Sequence, residues 1–153
     1  MLLLVHHAEA EAPGVDAMRP LTARGRAQAE LVAHDAASRG FRPEVIWHSG
    51  KLRGRQTAEA CWRVCNPLAT LSAVRGLLPG DPPEWMRDRV AGDVREILIV
   101  GHMPHLPALL GLLTGHGGAP FPLHGAVALE ADALPAGAGR WVERWRVELP
   151  VED

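Results

Sequence analysis

Three stretches of this chain end in residues that can handle a tetrahedral oxyanion. His6 and His7 follow the run Leu2-Leu3-Leu4-Val5, Ser49 follows Glu44 to His48 with Arg53 a turn further on, and His102 follows Glu96 to Val100 and a glycine. A guanidinium offers a planar fork to two oxygens, and helix amino ends add N–H donors. Two imidazoles and a guanidinium gathered there would suit a phosphoryl group. An unprotonated imidazole beside it could attack phosphorus and form a covalent intermediate.

Such a site needs elements that bring its parts together. Leu2 to Val5 and Glu96 to Val100 are short continuous apolar runs, the pattern of central strands covered on both faces. Glu44 to His48 is a further strand, and Leu68 to Val74 a weak one. Thr22 can cap a helix that runs to Ser38 before Gly40. A second helix spans Leu52 to Cys65 and stops at Asn66-Pro67. A short helix covers Glu84 to Ala91, and another covers about 105–114. Residues 9–20, Gly76 to Pro83 and Gly115 to Pro122 read as loops. Ala126 to Glu130 and Trp141 to Leu149 look like a closing hairpin. Its second arm alternates Trp141, Glu143, Trp145 and Val147 against Val142, Arg144, Arg146 and Glu148, which predicts one face for both tryptophans. The alternation of strands and helices predicts an α/β three-layer sandwich around a mostly parallel sheet. In such folds ligands bind beyond the carboxyl ends of the strands, where His6, His7, Ser49 and His102 all fall.

The 153 residues suit one domain, 1–153. With 47% hydrophobic and 22% charged residues the chain is ordinary for a globular protein. Sixteen basic and eighteen acidic side chains give a net charge of −2, which argues against nucleic acid or anionic membrane as partner. No apolar run reaches the roughly 20 residues of a membrane span, and residues 1–5 lack the features of a signal peptide, so the expected location is the cytoplasm. Cys61 and Cys65 are too few for a disulfide framework and, at i and i+4, read as core. The tryptophans read as packing, and His48 as structural. His105 and His124 are lesser candidates for the site.

Four segments together resemble a known family: Leu3-Leu4-Val5-His6-His7-Ala8-Glu9, Arg19-Pro20-Leu21-Thr22-Ala23-Arg24-Gly25, Ser49-Gly50-Lys51-Leu52-Arg53-Gly54-Arg55-Gln56-Thr57-Ala58 and Val100-Gly101-His102-Met103-Pro104. They are similar to the histidine phosphatase superfamily, the group of the phosphoglycerate mutases. The short length and the Leu77-Leu78-Pro79-Gly80-Asp81 loop look most like its small SixA-type phosphohistidine phosphatases. The resemblance implies a phosphoglycerate-mutase-like fold and a hydrolase that needs no metal or other cofactor. It makes His7 the phosphoryl acceptor, Arg53 the clamp and His102 the second histidine. His6, Arg19, Ser49 and Asp81 would line the substrate site, with Asp81 and Glu84 the nearby acids. The implied partner is a phosphohistidine-bearing protein, with phosphate or its analogues as simpler ligands.

Three positions depart from the family pattern. The first motif reads His6-His7-Ala8, so an imidazole stands where the family has arginine and an alanine where it has glycine; the Ser-Pro turn reads Ser49-Gly50. An imidazole of ordinary pKa near 6.5 replaces an always-charged fork, which predicts reduced activity unless a bound dianion keeps His6 protonated. On that expectation, His6→Arg raises activity and flattens its pH profile. Two other readings compete. A non-catalytic module would bind phosphate or phosphoprotein without turnover. A metal-dependent hydrolase could draw on His6, His7, Glu9, His102 and His105.

Overall fold

The computed structural model describes residues 1–12, 14–117, 120–132 and 140–150. Its centre is a six-stranded sheet in the order β3-β2-β4-β1-β5-β6. The strands are β1 (Leu2–His6), β2 (Val45–His48), β3 (Thr70–Ala73), β4 (Ile97–Gly101), β5 (Ala126–Ala131) and β6 (Trp141–Val147). The first four are mutually parallel, whereas β5 runs antiparallel to both β1 and β6. The helices are α1 (Ala23–Ser38), α2 (Leu52–Cys65), α3 (Pro83–Val90) and α4 (His105–Thr114), and a 3-10 turn over Asp16–Met18 interrupts the expected loop. Among the described residues no helix is long and apolar enough to cross a membrane.

Alternation along β1 builds a core on each face of the sheet. Leu2 and Leu4 pack with Met86 and Val90 of α3 and with the leucines of α4. Leu3 and Val5 pack with Val32, Ala33 and Ala36 of α1 and with Ala58, Cys61 and Cys65 of α2. Each such fully buried aliphatic side chain contributes about 1.5–3 kcal/mol. All five residues of β1 are buried, so the strand delivers His6 and His7 to a fixed place on its carboxyl edge. The cysteines belong to this core. Burial pushes both thiols up, Cys65 to about 11, which keeps them inert.

Thr22 caps α1 as expected, its hydroxyl accepting from Gly25 N–H at 2.9 Å. Gly25 must be glycine for another reason, because a Cβ there would collide with the carbonyl oxygen of Glu9. The Arg19-to-Gly25 segment can therefore lie directly against the chain leaving His7.

The hairpin corrects one expectation. A register shift between Ala128 and Leu129 leaves Arg144 unpaired, with Ala128 opposite Trp145 and Leu129 opposite Glu143. One extra residue reverses the alternation. Trp141 therefore packs on the α3/α4 side and Trp145 on the α1/α2 side, where the Arg39 guanidinium lies 4.7 Å from its ring centroid.

Candidate active site

The carboxyl edge of β1, β2 and β4 gathers the residues that the sequence singles out. His7 N–H donates to Gly101 O at 3.1 Å, tying it to the strand that ends in His102, and the two rings lie 4.9 Å apart. Past His7, Ala8 N–H donates to Thr57 Oγ1 at 3.0 Å, and the Thr57 hydroxyl donates to Arg53 O at 2.8 Å. This chain of bonds docks the first turn of α2 onto the end of β1. Arg53 is buried there, its Nη1 donating to Asp16 O at 2.8 Å and its Nη2 lying 3.4 Å from Asp16 Oδ1.

Asp16 binds together the cationic side of the site. Its carboxylate also meets Arg19 Nη2 at 3.5 Å and the Lys51 ammonium. The Lys51 hydrogen bond, then Arg53 and Arg19, hold the carboxyl below its usual range. Burial lowers the Arg53 guanidinium and Asp16 opposes that shift, leaving a cation by the ordinary basicity of arginine. Sequence reasoning passed over Asp16, Lys51 and Thr57. A carboxylate three residues before Arg19 is the only signal the first of these offers.

Three of the four imidazoles, His6, His7 and His124, have a tautomer set by their partners. His7 Nδ1 lies 2.7 Å from Ala8 O. A carbonyl only accepts, so Nδ1 carries the proton and Nε2 keeps the lone pair. Burial, helped by Arg53, lowers the His7 pKa to about 4, so that lone pair is free at neutral pH. His6 is the opposite case. Its Nδ1 accepts from His124 N–H at 2.8 Å, so Nε2 carries the proton. His124 Nδ1 lies 2.8 Å from His7 O and is therefore N–H, leaving its own Nε2 with a lone pair. His102 Nε2 pairs with Ser49 Oγ at 2.6 Å. Burial, then His7 and Arg53, lower His102 to about 3.

His6 does not behave as the sequence suggests. Burial, then the neighbouring His7 and His124 rings, lower its pKa to about 2. Protonating Nδ1 would also break the bond from His124 N–H. In the unliganded protein His6 is thus a neutral N–H donor.

His6, His7 and His124 bring ring nitrogens within 4.8 Å of one another, a spacing that would suit a cation. Their hydrogen bonds oppose that use. The one lone pair of His6 is engaged, which leaves two free where a catalytic zinc site takes three protein ligands. Asp81 belongs to the loop that precedes α3. It accepts from Leu78 N–H at 2.9 Å within its own loop and acts electrostatically on His105. His48 is structural, its Nδ1 accepting from Gly50 N–H at 3.1 Å.

The family model of the histidine phosphatase superfamily (branch 1) matches residues 2–77, the span that carries His7, Arg19, Ser49 and Arg53. The fold extends the likeness over nearly the whole chain. A structure named as the phosphohistidine phosphatase SixA of Agrobacterium tumefaciens superposes with a TM-score of 0.81 at 27% identity, covering 97% of each chain. The chain belongs to the histidine phosphatase superfamily. A second histidine phosphatase, SixA in complex with tungstate, matches in fold with a TM-score of 0.82 at 20% identity over 96% of each chain. A mycobacterial glucosyl-3-phosphoglycerate phosphatase bound to VO3 gives 0.72 at 15% identity, over 94% of this chain and 97% of that one. Among curated proteins no sequence matches. The superfamily model stops before His102, so the second histidine of this member rests on the fold and on its contact with His7.

Proposed function

We propose that this chain is a phosphatase that removes the phosphoryl group of protein phosphohistidine, needing no metal and working through a phosphohistidine on its own His7. The observation that carries the reading is the state of His7. Its Nδ1–H is held by Ala8 O, its Nε2 lone pair is free, and Arg53, His102 and His6 surround it. In the first step Nε2 attacks phosphorus, and the bond to the leaving atom breaks. In the second, water displaces the His7 nitrogen and releases phosphate. Arg53 and the imidazole N–H groups hold the equatorial oxygens, where such sites gain most of their rate.

The substrate class draws on two supports. The resemblance in fold is to proteins named as phosphohistidine phosphatases, at essentially equal length. The site also lies on an open sheet edge, which a side chain of another protein can reach. The test is a rapid alkaline quench with 32P-labelled phosphoramidate followed by peptide mapping. Label on His7 is the expected result, and label on any other residue refutes the assignment. The neutral His6 favours one rival, a homologue that binds phosphoprotein without turning it over. Tungstate binding with no labelled intermediate and no phosphate release would decide for that rival.

A further inference from the structure

Resting on the phosphatase reading, we propose that His124 is the proton carrier of the reaction. It would donate to the leaving atom as His7 takes the phosphoryl group, and accept from water as His7 gives it up.

The four imidazoles of the site are not equivalent. His7 Nε2 is committed to phosphorus. His6 cannot gain a proton without losing its bond from His124 N–H. His102 Nε2 is engaged by Ser49. Of the three beside the nucleophile, His124 alone is anchored through Nδ1–H, to His7 O, while its Nε2 has no such tie. It can gain and lose a proton on Nε2 with its anchor intact in both states.

Its place fits the task. The ring stacks on His6 at 4.9 Å with planes 5° apart, and its centroid is 6.1 Å from that of His7. His124 also lines a cavity of about 400 Å³, together with Glu9, Arg24, Gln28, Leu123 and Glu148. It is thus next to the nucleophile and to a space that the departing part of a substrate can occupy. The groups facing it are the His6 and His7 rings from β1, Glu9 beyond them, Arg24 and Gln28 from α1, and Glu148 after β6. The backbone supports the assignment too. His124 has φ 55°, a left-handed conformation that disfavours a non-glycine residue. Two hydrogen bonds hold it there, one from its backbone and one from its ring.

The steps balance. The His7 Nε2 lone pair forms the P–N bond. The electron pair of the breaking bond goes to the leaving atom, which takes from His124 Nε2 a proton that this nitrogen has first drawn from solvent, and the leaving group departs neutral. Water then bonds to phosphorus and passes a proton to His124 Nε2, while the P–N electrons return to His7.

The test is leaving-group dependence in His124→Asn. Asparagine tolerates the left-handed conformation and keeps the backbone N–H that anchors His6. Phenyl phosphate needs its leaving oxygen protonated, and 2,4-dinitrophenyl phosphate does not. General acid catalysis is worth about 100-fold or more, so kcat/KM for the phenyl ester should fall by that factor and for the dinitrophenyl ester by less than about fivefold. With the dinitrophenyl ester the variant should also show a burst of one phenolate per enzyme, because water then lacks its base. Equal losses on both esters, in this variant and in His124→Gln, overturn the proposal, as does no loss on either, and each leaves the His7 labelling result standing. Wild-type protein that releases neither phenol overturns the phosphatase reading and this proposal with it.

Discussion

The parallel half of the sheet and its antiparallel edge contribute different things to one site. Strands β1, β2 and β4 deliver the reactive and charged groups at their carboxyl ends: His7, Arg53 by way of α2, and His102. The edge formed by β5 acts through hydrogen bonding. It brings His124, whose backbone N–H fixes His6 as a neutral donor and whose ring bonds the His7 carbonyl. Reactivity is set on one side of β1 and protonation states on the other. A family position that usually holds a charged fork can carry an imidazole here because the neighbouring strand dictates which nitrogen bears hydrogen.

Breaking the parallel half should have the largest effects. His7→Asn removes the nucleophile and should reduce turnover of phosphoramidate by about 10⁴-fold or more, as loss of a group that forms the covalent intermediate does. Tungstate binding by calorimetry should survive, since Arg53 and His102 remain. Arg53→Ala should lower kcat by roughly 10²- to 10³-fold, the range for losing one preorganised donor to a developing oxyanion. It should weaken tungstate binding too. An Arg53→Ala enzyme of wild-type rate would place the phosphoryl site away from α2 and dissolve the comparison.

Much of that half is legible in the sequence because its signals are local. Buried parallel strands read as continuous apolar runs, and Thr22 and Asn66-Pro67 mark helix ends, so α2 spans Leu52–Cys65 in both readings. Strand ends followed by His7, Ser49 and His102 then lie on one sheet edge by topology. The antiparallel edge is harder to read because its determinants are pairings. The unpaired Arg144 carries no mark that separates it from regular alternation, yet it moves Trp141 and Trp145 to opposite faces. The state of His6 depends on a backbone N–H that is 118 positions away in sequence. Asp81 sits in the expected loop, where one oxygen of its carboxylate accepts from Leu78 N–H.

The next effect belongs to both halves. His6 and His102 are buried and held near 2 and 3, against about 6.5 in the unfolded chain. The folded state binds fewer protons below pH 6.5, so their contribution is complete above that pH and is lost as pH falls towards the folded values. Each imidazole should remove about 1.4 kcal/mol per pH unit over that window. Thermal melting from pH 7 to 5 should therefore decline steeply. Saturating tungstate should flatten the decline, since a bound anion favours the protonated rings. His102→Gln should do so in the absence of ligand. A melting temperature that is level from pH 7 to 5 would show that these rings are solvated.

The smallest effect bears most directly on the edge. If His6 works only as a neutral N–H donor, His6→Ala removes one ordinary hydrogen bond to a phosphoryl oxygen. Such a bond is worth about 0.5–1.5 kcal/mol, so kcat/KM should fall by roughly twofold to tenfold. The pH–rate profile between 5 and 8 should keep the wild-type shape, because the deleted group does not titrate there. A charged His6 would give the opposite pattern: a larger loss, concentrated on the acid side, where its charge would have counted. The same variant removes one of at least three imidazoles behind the acid decline in stability, His7 being the third, so that slope should become shallower by up to about a third. Stability and rate thus interrogate one nitrogen independently. A changed pH–rate profile together with an unchanged melting slope would mean that β5 does not hold His6 in its neutral form, and the division of labour across β1 would fail.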